Sequence, residues 1–184
     1  MEQLVIALVG CAGLLSASAM GTQEKSPGAG PIVVLETARG NIEFETYPEE
    51  APKTVAHVVD LVNKGFYNGL RFDRAEANFL IQVGDPTTRD TGREAYSGGT
   101  VTPIGVSEVT KKRRHVLGAV SMAYPGTRRT EADSEFFIMR RPAPELDGKY
   151  TVFGRVLKGQ EVVGRIQKGD LLKRAYLKDE AAKS

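Results

Sequence analysis

From residue 32 to residue 178 the chain is a succession of short β-favouring runs, each closed off by glycine, proline or a polar turn. A succession of this kind restricts the fold to antiparallel β architecture. Residues 32–37 (IVVLET) and 41–47 (NIEFETY) flank Ala38-Arg39-Gly40, a hairpin signal. In the second run Ile42, Phe44 and Thr46 alternate with Glu43 and Glu45, the period-2 pattern of a half-buried strand. Strand-like runs recur at 70–73, 79–84, 115–123, 135–139, 150–156 and 170–178. Helical spacing occurs twice. Pro52 opens a stretch carrying Val55, Val58, Val59 and Val62 that Gly65 ends, and residues 160–167 (QEVVGRIQ) carry Val162, Val163 and Ile166. The expected architecture is mainly β: an antiparallel barrel capped at its ends by two helices, in one domain spanning residues 32–178. Two long loops, 86–103 and 124–133, interrupt it, and loops of this length inside a domain are more often functional than idle.

Residues 1–19 read as a leader rather than as part of the fold. The apolar run 4–15 is too short to span a membrane, which takes about 20 residues. Ala17-Ser18-Ala19 fits the small-x-small pattern of a secretory cleavage site. The n-region departs from that pattern, with Glu2 and no Lys or Arg. Leu8-Val9-Gly10-Cys11 also resembles the lipobox of bacterial lipoproteins, which implies Cys11 as a lipidated anchor. Both processing routes stay open, and either implies an exported protein, periplasmic or held at the membrane by its N-terminus. Residues 20–31 are polar and rich in Gly and Pro, a flexible linker by composition, and 179–184 form a frayed tail. Cys11 is the sole cysteine, so a disulfide within the chain is impossible.

Several chemistries are absent from the sequence. A serine hydrolase of the elbow type needs GxSxG, which does not occur, and Ser121 and Ser134 read as strand and loop residues. Zinc needs clustered Cys, His and carboxylate, whereas the two histidines are scattered. GAGP is not followed by the lysine of a phosphate-binding loop. Lys111-Lys112-Arg113-Arg114 is the sharpest basic run, but a net charge of +2 lacks the strong basic stripe of a nucleic-acid binder. The run reads as a solvated loop. No cofactor, metal or nucleic-acid partner is expected, and a monomer is.

Three separated strings carry the chemistry: FDRAEANFLIQVGD (72–85), SEFFIMR (134–140) and ELDGKYTVFG (145–154). They bring an arginine without an evident partner, Arg74, into company with Phe79, Leu80, Phe137 and Leu146. Together with VLGAVSMA (116–123) they resemble the cyclophilin family of peptidyl-prolyl cis–trans isomerases, in motif order and over nearly all of 32–178. The resemblance implies a closed eight-stranded antiparallel barrel with a helix over each end and a groove on its outer face. Proline-containing polypeptides are the implied substrates. It also implies Arg74 as catalytic arginine and Gln82 as the residue orienting it and the substrate. Phe137 becomes the pocket floor, Phe79 and Leu80 an apolar wall, and Leu146 one closing side. Ala123 is implied to touch the peptide, and the Tyr124 backbone to pair with it.

Departures from the family pattern qualify this. Glu135 stands where Gln usually precedes Phe-Phe, so a carboxylate is expected near Arg74, where it either pairs with the guanidinium or holds it in place. Glu145 stands where a large residue such as Trp borders the pocket, which implies weak binding of cyclosporin-type ligands. Tyr150 replaces a common His. The 124–133 loop is longer than usual and carries Arg128 and Arg129, which favour substrates with acidic residues near the proline. The expected function is X–Pro isomerisation with activity reduced by Glu135. The alternative is a proline-peptide binding module or chaperone that has lost useful catalysis.

Overall fold

The computed structural model describes residues 25–89 and 101–178. The leader with Cys11, residues 20–24 of the linker, the 90–100 part of the first long loop and the tail lie outside them. The chain opens on the expected hairpin, β1 (Ile32–Thr37) against β2 (Gly40–Thr46), with Thr37 opposite Gly40. Gly40 takes φ 127°, a conformation that side chains resist. Ile42 and Phe44 of β2 face the core as the alternation predicts. Glu45, expected in water, is fully buried. The reason lies in residues 25–31, which dock on β2 instead of hanging free. The Ser26 backbone N–H and hydroxyl both donate to the Glu45 carboxylate, and the Gly30 N–H donates to the Thr46 carbonyl at 2.7 Å.

Helix α1 (Pro52–Asn63) places proline in its first turn and buries Val55, Val58, Leu61 and Val62, so Leu61 completes the stripe and Val59 is only partly covered. Its first residues offer no capping side chain. Glu108, far away in sequence, does so instead, accepting from the Lys53 and Thr54 N–H groups at 3.0 and 2.8 Å. That satisfies orphan donors and sets a negative charge at the positive end of the helix dipole. Six further strands follow: β3 (Arg74–Ala75), β4 (Leu80–Val83), β5 (Ala119–Met122), β6 (Phe136–Met139), β7 (Val152–Lys158) and β8 (Leu172–Leu177). Helix α2 (Gln160–Arg165) precedes β8 and buries Val162 and Val163.

All eight strands form one antiparallel sheet in the order β3-β4-β6-β5-β7-β2-β1-β8. The expectation of a fully closed barrel needs one refinement. The edge strands β3 and β8 do not pair; closure comes from the segments just ahead of them. Arg71 bridges Leu171, and hydrogen bonds run from Phe72 N to Asp170 O and from Leu172 N to Leu70 O. A strand as short as β3 has no ladder left to offer a second neighbour.

Strands β4, β5 and β6 are buried on both faces, and their alternation builds two separate clusters. Ile81, Val83, Val120, Met122, Phe136 and Ile138 point into the barrel, where Phe136 packs against Phe44 and Tyr67 with ring centres 5.9 and 5.4 Å apart. Leu80, Ala119, Phe137 and Met139 point outward and join Tyr47, Ala143 and Val152. Fully burying one such side chain contributes about 1.5–3 kcal/mol. The outward cluster does more than stabilise, because it is the floor of a groove.

Candidate active site

The groove has a volume of about 440 Å³. Its walls bring together all ten residues singled out from the sequence in the folded domain: Arg74, Phe79, Leu80, Gln82, Ala123, Tyr124, Glu135, Phe137, Leu146 and Tyr150. Pro125, Gly126 and Asp133, which sequence reasoning did not single out, complete the rim. Cys11 lies outside the described residues.

Arg74 sits on β3 directly opposite Gln82 on β4. The turn between them is closed by the Glu76 N–H donating to Leu80 O, and Asn78 takes the left-handed conformation at φ 57°, which asparagine tolerates better than most residues. This delivers Phe79 beneath the guanidinium, with the Arg74 Cζ 5.8 Å from the ring centre. Arg141 approaches the same ring at 5.1 Å, so Phe79 contacts two cations. Arg74 is not unpaired. Its Nε and Nη2 donate to the Glu76 carboxylate at 2.6 and 2.5 Å, in a pair with both side chains nearly half exposed. The acid two positions along was visible in the sequence and passed over.

Glu135 does not engage Arg74 as one expectation had it. Its Oε2 accepts from Gln82 Nε2 at 2.6 Å, and the same amide reaches Asp73 Oδ2 at 3.4 Å. Gln82 therefore holds two acids rather than the arginine. Gly84, at φ 135°, permits this approach, since a Cβ there would fall 2.4 Å from Ser134 O. Burial, reinforced by the charges of Asp73, Asp85 and Asp133, pushes the Glu135 carboxyl up to about 8. Burial and the Asp85 charge push Asp73 up to about 6 against a backbone hydrogen bond that favours ionisation. At neutral pH Glu135 is mostly a neutral acid, close in shape and charge to the glutamine of the family pattern. Among the described residues, no group of three or more His, Cys, Asp or Glu is placed to hold a metal ion.

The floor is held from behind. Phe137 stacks on the buried His115 ring at 5.9 Å and 14°, and Tyr150 meets Phe137 edge-on at 5.3 Å and 87°. Tyr124 stacks on Tyr150 at 4.8 Å, so Tyr150 supplies an aromatic wall. His115 Nδ1 lies 3.0 Å from Asp147 Oδ1 and its Nε2 lies 3.2 Å from Ser121 Oγ. Sequence reasoning did not find His115 and Asp147. The series Asp147–His115–Ser121 has the order of a hydrolase triad, but Ser121 is completely buried and its one hydroxyl proton is directed to Thr151 O at 3.0 Å. A nucleophile must reach its substrate, so this series is a scaffold. Burial pulls the His115 pKa down against the Asp147 charge, leaving a neutral ring behind the floor.

Leu146 reaches the groove from a short 3₁₀ turn, Pro144–Leu146. Glu145 turns away and pairs with Arg141 at 2.9 Å. The wall lost at Glu145 is thus occupied in part by an arginine held over Phe79.

The described residues thus form an outer-face groove with a cation at its lip and aromatic and aliphatic walls, and no serine or cysteine lines it. The chain matches the family described as "Cyclophilin type peptidyl-prolyl cis-trans isomerase/CLD" over residues 32–181. It is 41% identical over 132 residues to peptidyl-prolyl cis-trans isomerase B of Bacillus subtilis, covering 72% of this chain and 87% of that protein. A peptidyl-prolyl cis-trans isomerase of Helicobacter pylori is 35% identical over 140 residues, covering 75% and 81%. The solved structure of a Cryptosporidium parvum cyclophilin type isomerase superposes with a TM-score of 0.67 at 25% identity, covering 80% of this chain and 96% of that one. This chain belongs to the cyclophilin family and is a peptidyl-prolyl cis–trans isomerase.

Proposed function

We propose that this isomerase turns X–Pro bonds of polypeptides in the groove, with Arg74 as the catalytic cation. The X–Pro bond resists rotation by about 20 kcal/mol because resonance gives it double-bond character. Twisting it localises a lone pair on the prolyl nitrogen. A guanidinium aimed there stabilises the twisted state more than the planar one, which is what accelerates the step. Phe137 floors the pocket for the ring, with Phe79, Leu80 and Leu146 as its apolar sides. Ala123 and the Tyr124 backbone meet the flanking peptide. Gln82 and protonated Glu135 present neutral hydrogen-bonding groups, so Glu135 itself adds no anion to compete with the substrate at neutral pH.

The observation that carries this reading is Arg74 beside Phe79 at the lip of a groove floored by Phe137. A protease-coupled assay on a short proline peptide tests it. Arg74→Ala should lose about 10²–10³-fold in kcat/KM, the usual cost of removing one preorganised donor. Equal rates for the two proteins sink it. One observation favours the binder reading: both donor nitrogens of Arg74 seen to hydrogen-bond or ion-pair go to Glu76. An exposed pair of this kind is worth about 0.2–1 kcal/mol, little enough for substrate to displace.

The leader pattern in residues 1–19 supports export, with the domain acting as a monomer in the periplasm or at the outer side of a membrane. Any membrane attachment would run through Cys11. The mass of the mature N-terminus, measured from cells, separates cleavage after Ala19 from a lipidated Cys11. An intact Met1 overturns both.

A further inference from the structure

A second pocket, of about 250 Å³, opens between β5, β7 and the segment that carries the basic run. Lys112, Arg113, Arg114 and Arg155 line it, over a floor that includes Tyr47 and Ala119. The acids available to these cations are few. A single Glu50 oxygen, Oε1, serves both Lys112 Nζ at 2.6 Å and Arg113 Nη2 at 2.9 Å. Glu45 Oε1 stands 3.8 Å from Arg155 Nε, too far to accept from it, and that oxygen already accepts from Ser26 and Tyr47. The Arg155 Nε is therefore buried with no hydrogen-bond acceptor, and Arg114 forms no ion pair among the described residues. Four cations face the carboxylates of Glu50 and Glu45, with Asp147 feeling the charge of Arg114 from beyond ion-pair distance, so positive charge is left over at a concave site. The Arg113 Cζ lies over the Tyr47 ring, 3.6 Å from its centre, and this contact together with Glu50 preorganises the guanidinium.

The rim is apolar. Val116 and Leu117, 45% and 50% exposed, are the large hydrophobic side chains left in solvent among the described residues, and Val116 lines the pocket. We propose that this pocket docks an acidic polypeptide segment, a carboxylate entering among Lys112, Arg114 and Arg155 while a neighbouring aliphatic side chain lies on Val116 and Leu117. A bare anion would leave the apolar rim uncovered. A concave pocket of one side chain's size fits a protruding residue better than a flat lipid surface. The pocket is separate from the proline groove, though Tyr47, Ala119 and Val152 pack in the same buried cluster as Phe137. Docking here holds a client or partner without a proline in the groove.

Fluorescence anisotropy of a labelled, proline-free peptide of alternating Glu and Leu tests this on the full chain. Binding is expected that weakens with added salt, because surface charge is screened within about 10 Å at 0.1 M. Lys112→Glu with Arg114→Glu should weaken it about ten-fold or more, equivalent to about 1.4 kcal/mol. Isomerisation of a short proline peptide should stay unchanged, which also shows that the variant is folded. If the double variant does not fold, Arg114→Ala, at an exposed position, should still cost several-fold. The proposal is overturned by equal binding of a Lys/Leu peptide, by unchanged affinity in the variants, or by displacement with a proline peptide. Tighter binding of phosphatidylglycerol vesicles or of a single-stranded oligonucleotide than of the acidic peptide overturns it too.

Discussion

Gln82 Nε2 donates a 2.6 Å hydrogen bond to Glu135 Oε2, and both side chains are nine-tenths buried beside the groove. The bond joins two residues that line the groove, and burial pushes the carboxyl of one of them up to about 8. Below that value Glu135 is a neutral acid that stands in for glutamine. Above it, a carboxylate appears at the groove wall and competes with the prolyl amide for the field of Arg74. The rate for a proline peptide, followed by NMR exchange, should fall about three-fold or more between pH 7 and pH 9. Glu135→Gln should remove the fall and match the wild-type rate at pH 7 within a factor of about three. Coincident profiles would show that ionisation of Glu135 does not govern the rate, and a large gain for Glu135→Gln at pH 7 would show that the natural carboxyl is charged and inhibitory.

The same group links stability to pH. Its folded pKa lies above the unfolded value of roughly 4.3, so the folded state holds the proton more tightly. The contribution is complete below about pH 4.3 and is lost as pH rises towards 8. Asp73, raised to about 6, acts in the same direction over a narrower window. His115, lowered by burial, acts oppositely: its contribution is complete above about pH 6.5 and is lost on acidification. Thermal unfolding of wild type against Glu135→Gln between pH 5 and 8 isolates the Glu135 part. The variant should gain on the wild type by on the order of 2 kcal/mol across the window. A constant difference would mean that Glu135 titrates normally.

Arg74 and Glu76 form the exposed ion pair on which the binder reading depends. Pairs of this exposure are worth about 0.2–1 kcal/mol. Glu76→Gln should therefore raise kcat/KM by no more than about five-fold, and most at low salt. A gain of fifty-fold or more would mean that Arg74 is locked away from substrate in the natural protein.

Much of this fold was legible because it rests on local patterns. The alternation in residues 41–47, Pro52 opening a helix and the runs around Phe137 each carry their own period. The ten groove residues were legible through a motif, since spacing alone does not distinguish an outward Phe137 from an inward Phe136. What stayed hidden depends on partners distant in the chain. Glu45 reads as a solvent-facing strand residue until Ser26 and Arg155 cover it. Glu135 reads as an anion until burial and the charges of Asp73 and Asp85, from two other segments, add to that of its neighbour Asp133. The docking of residues 25–31 was invisible because a Gly- and Pro-rich composition describes a chain's freedom and not the surface it meets.

Substrate charge should register at the 124–133 rim through Arg129. Arg128 is paired with Glu131 at 2.8 Å, whereas Arg129 Nη1 donates to the Gly148 carbonyl and meets no carboxylate among the described residues. Proline peptides flanked by Glu should be turned over about two- to three-fold faster than those flanked by Lys, with the difference fading at high salt. Arg129→Ala should erase most of it and Arg128→Ala little. No preference in the wild type would count against a role for this loop.

His115, Asp147 and Ser121 bear on catalysis through the floor alone. Asp147 accepts from both the His115 backbone N–H and its ring, so Asp147→Ala leaves a buried donor without a partner. That should cost about 1–3 kcal/mol of stability. Ser121→Ala removes one hydroxyl and should cost about 1 kcal/mol. Because Phe137 rests on the His115 ring, loosening that ring should raise KM for proline peptides more than it lowers kcat if, as proposed, Arg74 carries the chemistry. Steady-state kinetics at a temperature where both variants remain folded decides this. A kcat loss as large as that of Arg74→Ala would place the series in the reaction itself, and the scaffold role assigned to it would fail.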